Sequence, residues 1–340
     1  MNPLSIKDVI SYFNGLTPHG QQDFINLFVR EMHKGCGSFE NTIKKKQDHQ
    51  IVVCPHCGSL HIQKRGHSYG RQRYQCIDCS RSFGATTKTP IASLKKPELF
   101  ERYIKLVFER KTLKQCEAEL GISHQTAFDW RHKILSGLVE HVPAIMRGVI
   151  ECDEIEFRIS NKGQRTNLGR KPRKRGSNYK RNDGSYNSNT VQVITAVSRT
   201  GESVMVPVKG KKVTTKQIDD SIGGKMEESS TLITDKNSAY RKFAKDNGLK
   251  LRQVKSTEHV DKNDRRIHIQ HVNATHSKLR GFMGKYRGVS TKYLANYLKW
   301  FCYMNDFESM ADKVEAWLLD IISSLAPYDN YHRLKNQPIF

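Results

Sequence analysis

Residues 265–301 read RRIHIQHVNATHSKLRGFMGKYRGVSTKYLANYLKWF, and they combine a strongly basic charge with helical spacing of apolar side chains. From residue 265 to residue 305 the sequence contains eight Lys and Arg but no Asp or Glu. Apolar residues after His276, including Leu279 and Phe282, recur at the spacing of one helix face. A run of like charge is usually a solvated surface. This stretch alone therefore leaves two interpretations open, a solvated helix or a helix that meets an anionic partner.

The composition of the whole chain favours the anionic partner. The 340 residues include 57 Lys and Arg against 34 Asp and Glu, which gives a formal net charge of +23. Such a charge on a chain of two or three domains points to a polyanion, and nucleic acid is the first candidate. No apolar run approaches the roughly 18 residues of a membrane-spanning helix, and the N-terminus lacks a signal-peptide pattern. We therefore expect a cytoplasmic protein with no membrane partner.

Four of the eight cysteines form two CxxC pairs, with 18 residues between the pairs. This spacing is typical of two thiolate pairs that close one tetrahedral zinc site. The predicted ligands of this structural zinc are Cys54, Cys57, Cys76 and Cys79. His56, His61 and His67 are alternative ligands, but four thiolates already satisfy the ion. The other cysteines are scattered singly, as expected in a reducing compartment.

The residues between the two pairs predict a small β structure. Short strands are expected at 62–65 and 71–75, around a turn that contains Gly66 and Gly70. We therefore predict a zinc ribbon over residues 49–90, stabilised by its metal. Five basic residues make this ribbon a candidate for phosphate contacts: Lys64, Arg65, Arg71, Arg73 and Arg81.

Residues 91–145 are predicted to form a helical DNA-binding region. A helix ends near Leu120, a turn follows at Gly121, and Ser123 is placed to cap a second helix. This order is typical of a helix-turn-helix, whose second helix enters the major groove by its N-terminal residues. The predicted base-facing residues are His124, Gln125, Thr126 and Asp129. The predicted phosphate contacts are Arg131, His132 and Lys133.

Three segments carry weaker signals. Residues 1–48 predict a helical segment that either packs on the protein or serves as an arm for dimerisation or DNA-end binding. Residues 311–340 predict a C-terminal helical tail.

Residues 161–189 hold nine Lys and Arg against one acid. They predict a loop that is either solvated or orders on binding DNA. Its candidate DNA contacts are Arg170, Lys171, Arg173, Lys174 and Arg175.

An α/β core is predicted over residues 146–310. The sequence VIECDEIEFRIS, which begins at Val149, predicts a strand with Asp153 near its end, and a β-hairpin follows at 190–208. A later strand ends at Asp235, directly before a helix. Acids at the carboxyl ends of strands are where α/β sheets usually place active sites. We therefore expect Asp153 and Asp235 on neighbouring strands.

Two carboxylates and a third ligand from a later helix are what a pair of divalent ions near a phosphodiester requires. Residues 265–301 contain no carboxylate, so His276 is the first candidate for the third ligand. Less favoured alternatives are His271, Asn273 and Asp306. Glu154 is expected on the opposite face of its strand from Asp153, in a structural role. The last helix is expected to pack on the sheet through Tyr293, Leu294, Tyr297, Leu298 and Phe301.

The sequence resembles the ISXO-like insertion-sequence transposases. These proteins join a zinc ribbon and a helix-turn-helix to an RNase H-like integrase core, and one group has His as the third member of the Asp-Asp-Glu triad. The resemblance rests on CPHC and RYQCIDCSRSF in the ribbon, ECDE at 151–154, LITDKNSAY at 232–240 and HIQHVNATHSKLRGFMGKYRGVSTKYLANYLKWF at 268–301. It covers residues 50–305 in order and departs from the family pattern in the basic loop.

The resemblance implies roles for single residues. Asp153, Asp235 and His276 become ligands of catalytic Mg²⁺ or Mn²⁺, with Arg280 or Lys285 as a basic partner. Phosphate contacts are then expected beside the site from Lys278, Arg280, Lys285 and Arg287. Because an imidazole replaces a carboxylate, we expect stronger activity with Mn²⁺ than with Mg²⁺.

The resemblance also implies a reaction and its partners. The protein would bind the terminal inverted repeats, hydrolyse a strand at each transposon end and join the freed 3'-hydroxyl to target DNA. Acting on two ends favours a homodimer or higher oligomer, associated with the nucleoid of a prokaryotic cell. Two alternatives remain, a DNA-binding regulator or domesticated transposase without catalysis, and a nuclease that cuts without joining.

Overall fold

The computed structural model describes residues 11–15, 53–68, 71–94, 96–137, 145–163, 190–210, 212–255, 257–306, 333–334 and 336. The predicted helical segment at 1–48, the basic loop at 161–189 and the tail at 311–340 therefore lie almost entirely outside the described residues. The chain divides into two units. One comprises Met1–Ala144 with Phe307–Asn336, and the other comprises Ile145–Asp306 with Gln337–Phe340.

The first unit contains a small antiparallel sheet between the two CxxC pairs. Its strands are β1 (Ile62–Ser68), β2 (Arg71–Cys76) and β3 (Ser82–Phe83). The predicted turn at Gly66 is wrong, because β1 continues through this residue. Gly66 has a positive φ of 68° and lies at a bulge, where the pairing of β1 with β2 shifts between Lys64 and His67. Glycine adopts this conformation without the penalty of a side chain.

Three α-helices lie between residues 100 and 137 of the same unit. They are α1 (Phe100–Phe108), α2 (Leu113–Leu120) and α3 (His124–Gly137). Trp130 of α3 meets Phe100 and Tyr103 of α1 edge to face, with ring centroids 5.5 and 5.4 Å apart. The hydroxyl of Tyr103 donates a hydrogen bond to the carbonyl of Ala127. These contacts give the helices an aromatic core that fixes α3 against α1.

The connection between α2 and α3 has the predicted helix-turn-helix geometry. Gly121 ends α2 in the left-handed conformation, with φ of 61°. The Ser123 hydroxyl accepts the backbone N–H of Thr126 at 3.1 Å, so the predicted cap of α3 is confirmed. At the start of α2, Thr112 and Gln115 form a reciprocal capping box. Local sequence therefore sets both helix boundaries.

The second unit is built on a mixed sheet. Its strands are β4 (Val149–Arg158), β5 (Thr190–Ser198), β6 (Ser203–Lys209), β7 (Thr231–Thr234) and β8 (Lys250–Gln253). Their order across the sheet is β6-β5-β4-β7-β8. The first three pair antiparallel, whereas β7 and β8 run parallel to β4. Every residue of β5 is buried, so both faces of the sheet are covered there.

Helices pack on both faces of this sheet. They are α4 (Thr215–Ile222), α5 (Ala239–Asp246), α6 (Gln270–Lys285) and α7 (Leu294–Asp306). On one face, α6 contacts Glu151 of β4. On the other face, α5 places Tyr240 beside Glu154. The predicted fold class, a mixed sheet flanked by helices, is therefore confirmed.

The last helix packs as its apolar spacing predicts. All five residues of the predicted face are buried: Tyr293, Leu294, Tyr297, Leu298 and Phe301. Phe282 of α6 contacts Trp300 and Phe301 of α7, with ring centroids 5.1 and 5.5 Å apart. This aromatic contact joins the two C-terminal helices into one layer. Among the described residues, no helix has the length and apolar character that crossing a membrane requires.

Candidate active site

The two predicted carboxylates lie on neighbouring strands, where β7 ends. The prediction that Asp153 lies near the end of its strand is wrong, because β4 continues to Arg158 in its pairing with β5. The parallel pairing of β4 with β7 places Cys152 opposite Thr234. Asp153 and Asp235 are the next residues on the two chains, so the register brings their backbones together. Oδ1 of Asp235 also accepts the backbone N–H of Asn237 at 3.0 Å, which orients this carboxylate. The sequence-based expectation of neighbouring acids matches this arrangement.

His276 projects from the middle of α6 towards Asp153. Its side chain is only 4% exposed, and its Nδ1 lies 3.9 Å from Oδ2 of Asp153. Burial, followed by the positive charge of Arg280, lowers the pKa of His276 to about 4. The ring is therefore neutral at pH 7, which is the form that binds metals. Its Nε2 is buried and has no hydrogen-bond partner in the part of the chain that the structure describes.

Asp153 is a strongly perturbed carboxylate. Burial raises its pKa from 3.8 to about 6. The neighbouring charge of Asp235 raises it further, whereas the backbone N–H of Glu154 and the side chains of His259 and Arg280 lower it. Asp153 is thus mainly ionised at pH 7, although burial and the neighbouring carboxylate of Asp235 both disfavour its charged form. A bound divalent cation would relieve both effects.

The donor set suits divalent ions of the Mg²⁺ or Mn²⁺ type, because it combines two carboxylates with one neutral imidazole. Among the described groups, the ligand atoms of Asp153, Asp235 and His276 do not all lie within 4.8 Å of one another. In this conformation the three side chains are therefore not closed around a single ion. The unpartnered imidazole nitrogen is a further sign that a ligand belongs here.

A cleft of about 700 Å³ opens beside Asp235, which lines it together with Glu154, Gln192, Thr215 and Asn237. Glu154 lies on the opposite face of β4 from Asp153, as the alternation of a strand predicts. Burial raises the pKa of Glu154 to about 7, and the charge of Asp153 adds to the rise. A partly protonated carboxyl group therefore faces this cleft at neutral pH.

The predicted basic residues of α6 lie on its outer surface. Lys278, Arg280, Lys285 and the following Arg287 are exposed. Arg280 is one helical turn beyond His276, and its charge reaches both His276 and Asp153. This geometry favours Arg280 over Lys285 as the basic group beside the acids. The predicted loop contacts between Arg170 and Arg175 fall outside the described residues.

Glu151, His268 and His271 form a second cluster that sequence reasoning did not identify. One ligand atom from each lies within 4.8 Å of the others. Glu151 is fully buried and two residues before Asp153 on the same face of β4. The unusual acid within the apolar start of β4 was the available signal, but its partners are more than 110 residues away in the sequence.

The four predicted zinc ligands come together in the first unit. Cys54 Sγ lies 3.7 Å from Cys79 Sγ, and Cys57 Sγ lies 3.6 Å from Cys76 Sγ. Sulfur atoms around a zinc ion with 2.3 Å bonds are about 3.8 Å apart, so the cluster has the size of a tetrahedral site. Phe83 packs against this cluster. The arrangement fits a zinc ribbon.

On α3, the second helix of the helix-turn-helix, fewer of the side chains predicted to contact DNA are fully exposed than expected. His124 contacts Glu117, and Gln125 donates to Asp129 at 2.9 Å, although both remain on the surface. Thr126 is half-buried, and Lys133 reaches the carbonyl of Ala92 at 3.4 Å.

Two predicted phosphate contacts of α3 are wrong. Arg131 is fully buried and donates to the carbonyl of Lys111 at 2.6 Å, and His132 is 1% exposed. Both residues lie on the core-facing side of α3. Arg131 therefore joins α3 to the segment before α2, and it is not available to a phosphate in this conformation.

Replacing Asp153 by Asn is expected to stabilise the metal-free protein at pH 7. The pKa of about 6 in the fold lies above the ordinary 3.8, so ionisation destabilises the fold. This cost is absent below pH 4 and complete above pH 6. It amounts to roughly 1 to 3 kcal/mol. Thermal unfolding at pH 4 and pH 7, without added Mg²⁺ or Mn²⁺, measures it. An equal difference in Tm between wild type and variant at both pH values would contradict the expectation.

Comparison with known proteins finds similarity both to the second unit and to most of the chain. Residues 146–306 match the family model described as the ISXO2-like transposase domain. Over 258 residues, the chain is 28% identical to a protein of Halobacterium salinarum described as an uncharacterized protein in transposable element ISH50. That alignment covers 74% of this chain and 84% of the relative.

Solved structures show a weaker likeness. The pre-cleavage Mos1 transpososome has a TM-score of 0.27 and 7% identity, covering 94% of this chain and 97% of the other. The simian T-cell lymphotropic virus intasome in complex with PP2A regulatory subunit B56 gamma has a TM-score of 0.30 and 11% identity. The match to the intasome covers 61% of this chain and 70% of the other. Neither likeness transfers residue roles to this chain.

Proposed function

We propose that the chain, whose residues 146–306 match the model of the ISXO2-like transposase domain, is the DNA transposase of an insertion sequence. It binds the terminal inverted repeats of the element, cleaves a strand at each end and transfers the freed end to target DNA. The observation that carries the proposal is the meeting of Asp153, Asp235 and the buried, neutral imidazole of His276 where β7 ends.

Each residue of the site has a defined task in this proposal. Asp153 and Asp235 bind the ions through carboxylate oxygens, and His276 adds a neutral nitrogen. Bound divalent ions supply Lewis acidity to the attacking and leaving oxygens of a phosphodiester exchange. Arg280 binds a phosphate beside the acids and lowers the pKa of both Asp153 and His276. The exposed side chains of Lys278 and Arg287 extend the phosphate-binding surface.

The first unit supplies DNA binding in this proposal. The four-cysteine cluster holds structural zinc, and the helix-turn-helix places the start of α3 in the major groove. His124, Gln125 and Thr126 are at that end of the helix. On binding DNA, His124 and Gln125 would give up their hydrogen bonds to Glu117 and Asp129 and contact bases instead. Two transposon ends must be held together, so the active form is a dimer or larger assembly.

A strand-transfer assay tests the function against its alternatives. Purified protein is incubated with labelled DNA carrying the inverted repeats that flank its gene, with a target plasmid and Mn²⁺. A transposase yields joined products. End binding without cleavage would identify a DNA-binding regulator, and cleaved ends that are never joined would identify a nuclease. Either result would refute the proposal.

The metal preference provides a separate prediction. We expect faster strand transfer with Mn²⁺ than with Mg²⁺, because the imidazole of His276 is a softer ligand than a carboxylate. His276→Glu restores a third carboxylate and is expected to lower the ratio of Mn²⁺-supported to Mg²⁺-supported activity. Initial rates at saturating concentrations of each ion measure this ratio. If the ratio were the same in wild type and variant, direct ligation by His276 would be excluded.

A further inference from the structure

Helix α6 carries His276, and of its first N–H groups only that of Gln270 has a side-chain partner from the adjoining sequence, Nδ1 of His268 at 3.3 Å. Ile269 precedes the helix and offers no side-chain hydrogen bond. The first N–H groups of a helix need partners from elsewhere when they are buried. Glu151 of β4 supplies them: its Oε2 accepts the backbone N–H of His271 at 2.8 Å and that of Val272 at 3.2 Å.

The other carboxylate oxygen of Glu151, Oε1, also has several hydrogen-bond partners. Oε1 of Glu151 accepts Nε and Nη2 of Arg199 at 3.2 and 3.1 Å, and it lies 2.8 Å from Nδ1 of His271. Arg199 also donates to the carbonyl of Arg266, in the segment that leads into α6. Glu151 is completely buried, so these are all charge-assisted contacts away from water.

These contacts decide between two roles for the second cluster. Glu151, His268 and His271 are close enough to share an ion. However, the guanidinium of Arg199 already binds Glu151, and its Nη2 lies 3.3 Å from Nε2 of His268. An arginine remains charged at any physiological pH, and it would repel a cation at this position. The cluster is therefore better suited to fixing a helix than to holding a metal.

The C-terminal end of α6 is tied to the same strand. Lys162, four residues beyond the end of β4, donates to the carbonyls of Arg287 and Gly288 at 3.3 and 2.9 Å. The backbone N–H of Thr291 also donates to the carbonyl of Ser160 at 2.9 Å. An acid at the start of a helix and a base after its end both match the helix dipole. β4 and its extension thus hold α6 at both ends.

We propose that Glu151 is a positioning residue that fixes the start of α6 on β4 and thereby sets the distance between His276 and Asp153. Glu151 and Asp153 are two residues apart on one face of a rigid strand, while His276 lies about one and a half turns into the helix that Glu151 caps. A loosened first turn would let His276 move away from the acids. The inference rests on the proposed function, because it gives Glu151 a purpose within that metal site.

The test compares Glu151→Gln with Glu156→Gln in the full-length protein. Glu156 is an exposed residue of the same strand, so it is a matched control for the chemical change. Gln keeps the size of Glu151, but it offers one acceptor oxygen and turns an amide towards Arg199. Hydrogen-exchange mass spectrometry on residues 269–276 is expected to show exchange about tenfold faster in Glu151→Gln. Residues 190–198 of β5 should remain unchanged, as should both segments in Glu156→Gln.

Binding of Mn²⁺, followed by electron paramagnetic resonance, supplies the second readout. Glu151→Gln is expected to weaken it by about 10- to 100-fold, as for other groups that orient metal ligands. A His268→Ala, His271→Ala double variant keeps both backbone hydrogen bonds to Glu151, although it loses that of Gln270 to His268, and should bind Mn²⁺ within about threefold of wild type. Loss of Mn²⁺ in that double variant would show that the cluster holds a metal, and would overturn the inference.

Further outcomes separate the positioning role of Glu151 from the proposed function. Unchanged exchange at 269–276, or faster exchange with unchanged Mn²⁺ binding, would each refute the positioning role of Glu151. If Glu151→Gln did not fold, Glu151→Asp would keep the charge but shorten the reach to the N–H groups of His271 and Val272, and the same two readouts would apply. Unchanged Mn²⁺ binding in Asp153→Asn would refute the proposed function. A loss in Asp153→Asn without a loss in Glu151→Gln would refute only the positioning role.

Discussion

Strand transfer is expected to fall at least about 10³-fold when either Asp153 or Asp235 is replaced by Asn, because each loses a carboxylate that contributes several kcal/mol of charge stabilisation through the bound ions. Asn keeps the size of the side chain and most of its hydrogen bonds. Binding to the inverted repeats should remain unchanged, because the zinc ribbon and the helix-turn-helix lie in the other unit. Product yield on a gel and end binding by fluorescence anisotropy measure the two effects.

A matched control and a clear contrary result accompany this prediction. Asp246→Asn makes the same chemical change at the end of α5, away from the site, and should join DNA at the wild-type rate. Asp153→Asn is also expected to unfold at a higher temperature than wild type in the absence of divalent ions. The loss of activity therefore cannot be attributed to unfolding. Normal joining by both Asp153→Asn and Asp235→Asn would refute the assignment of the site.

The second large effect concerns the four-cysteine cluster. Replacing Cys76 by Ser is expected to unfold the ribbon, because a structural zinc site contributes on the order of 10 kcal/mol and the small sheet has few other buried groups. Zinc content should fall from one ion per chain to near zero, and end binding should be lost. Zinc analysis and limited proteolysis of residues 53–85 measure these changes.

Cys116→Ala is the control for the ribbon variant. Cys116 is fully buried in α2 and lies outside the cluster, so its replacement should leave one zinc ion per chain. The second unit has its own sheet, and its thermal unfolding should be unchanged in Cys76→Ser. A Cys76→Ser protein that retained both zinc and end binding would contradict the predicted ligand set.

The sequence predicted those features that depend on local pattern. The alternation and the apolar runs at residues 149–158 and 231–234 identify strands, and an acid within or directly after such a run has few structural reasons to be there. Asp153 and Asp235 could therefore be paired before any coordinates were known. The same holds for Gly121 and Ser123, because a left-handed residue followed by a capping hydroxyl is a local signal.

Features that depend on tertiary packing were missed. Arg131 was expected on the DNA surface, but in α3 it faces the core, and charge alone does not reveal which face of a helix is buried. Gly66 was expected in a turn, whereas it makes a bulge that lets β1 continue. Glu151 was not singled out, because the helix that it caps begins more than 110 residues later in the sequence. Such contacts depend on how the strands and helices are arranged in space, and the spacing of residues along the sequence does not reveal them.

The central claim is that Asp153, Asp235 and His276 form one divalent-ion site, and the most direct test locates the ion itself. A crystal of the protein soaked in Mn²⁺ gives anomalous difference density at the positions of bound manganese. The account predicts density between these three side chains, with none beside Glu151 and His268, and loss of the density in a crystal of Asp235→Asn. Density only at the Glu151 cluster, or no density near His276 at saturating Mn²⁺, would contradict it.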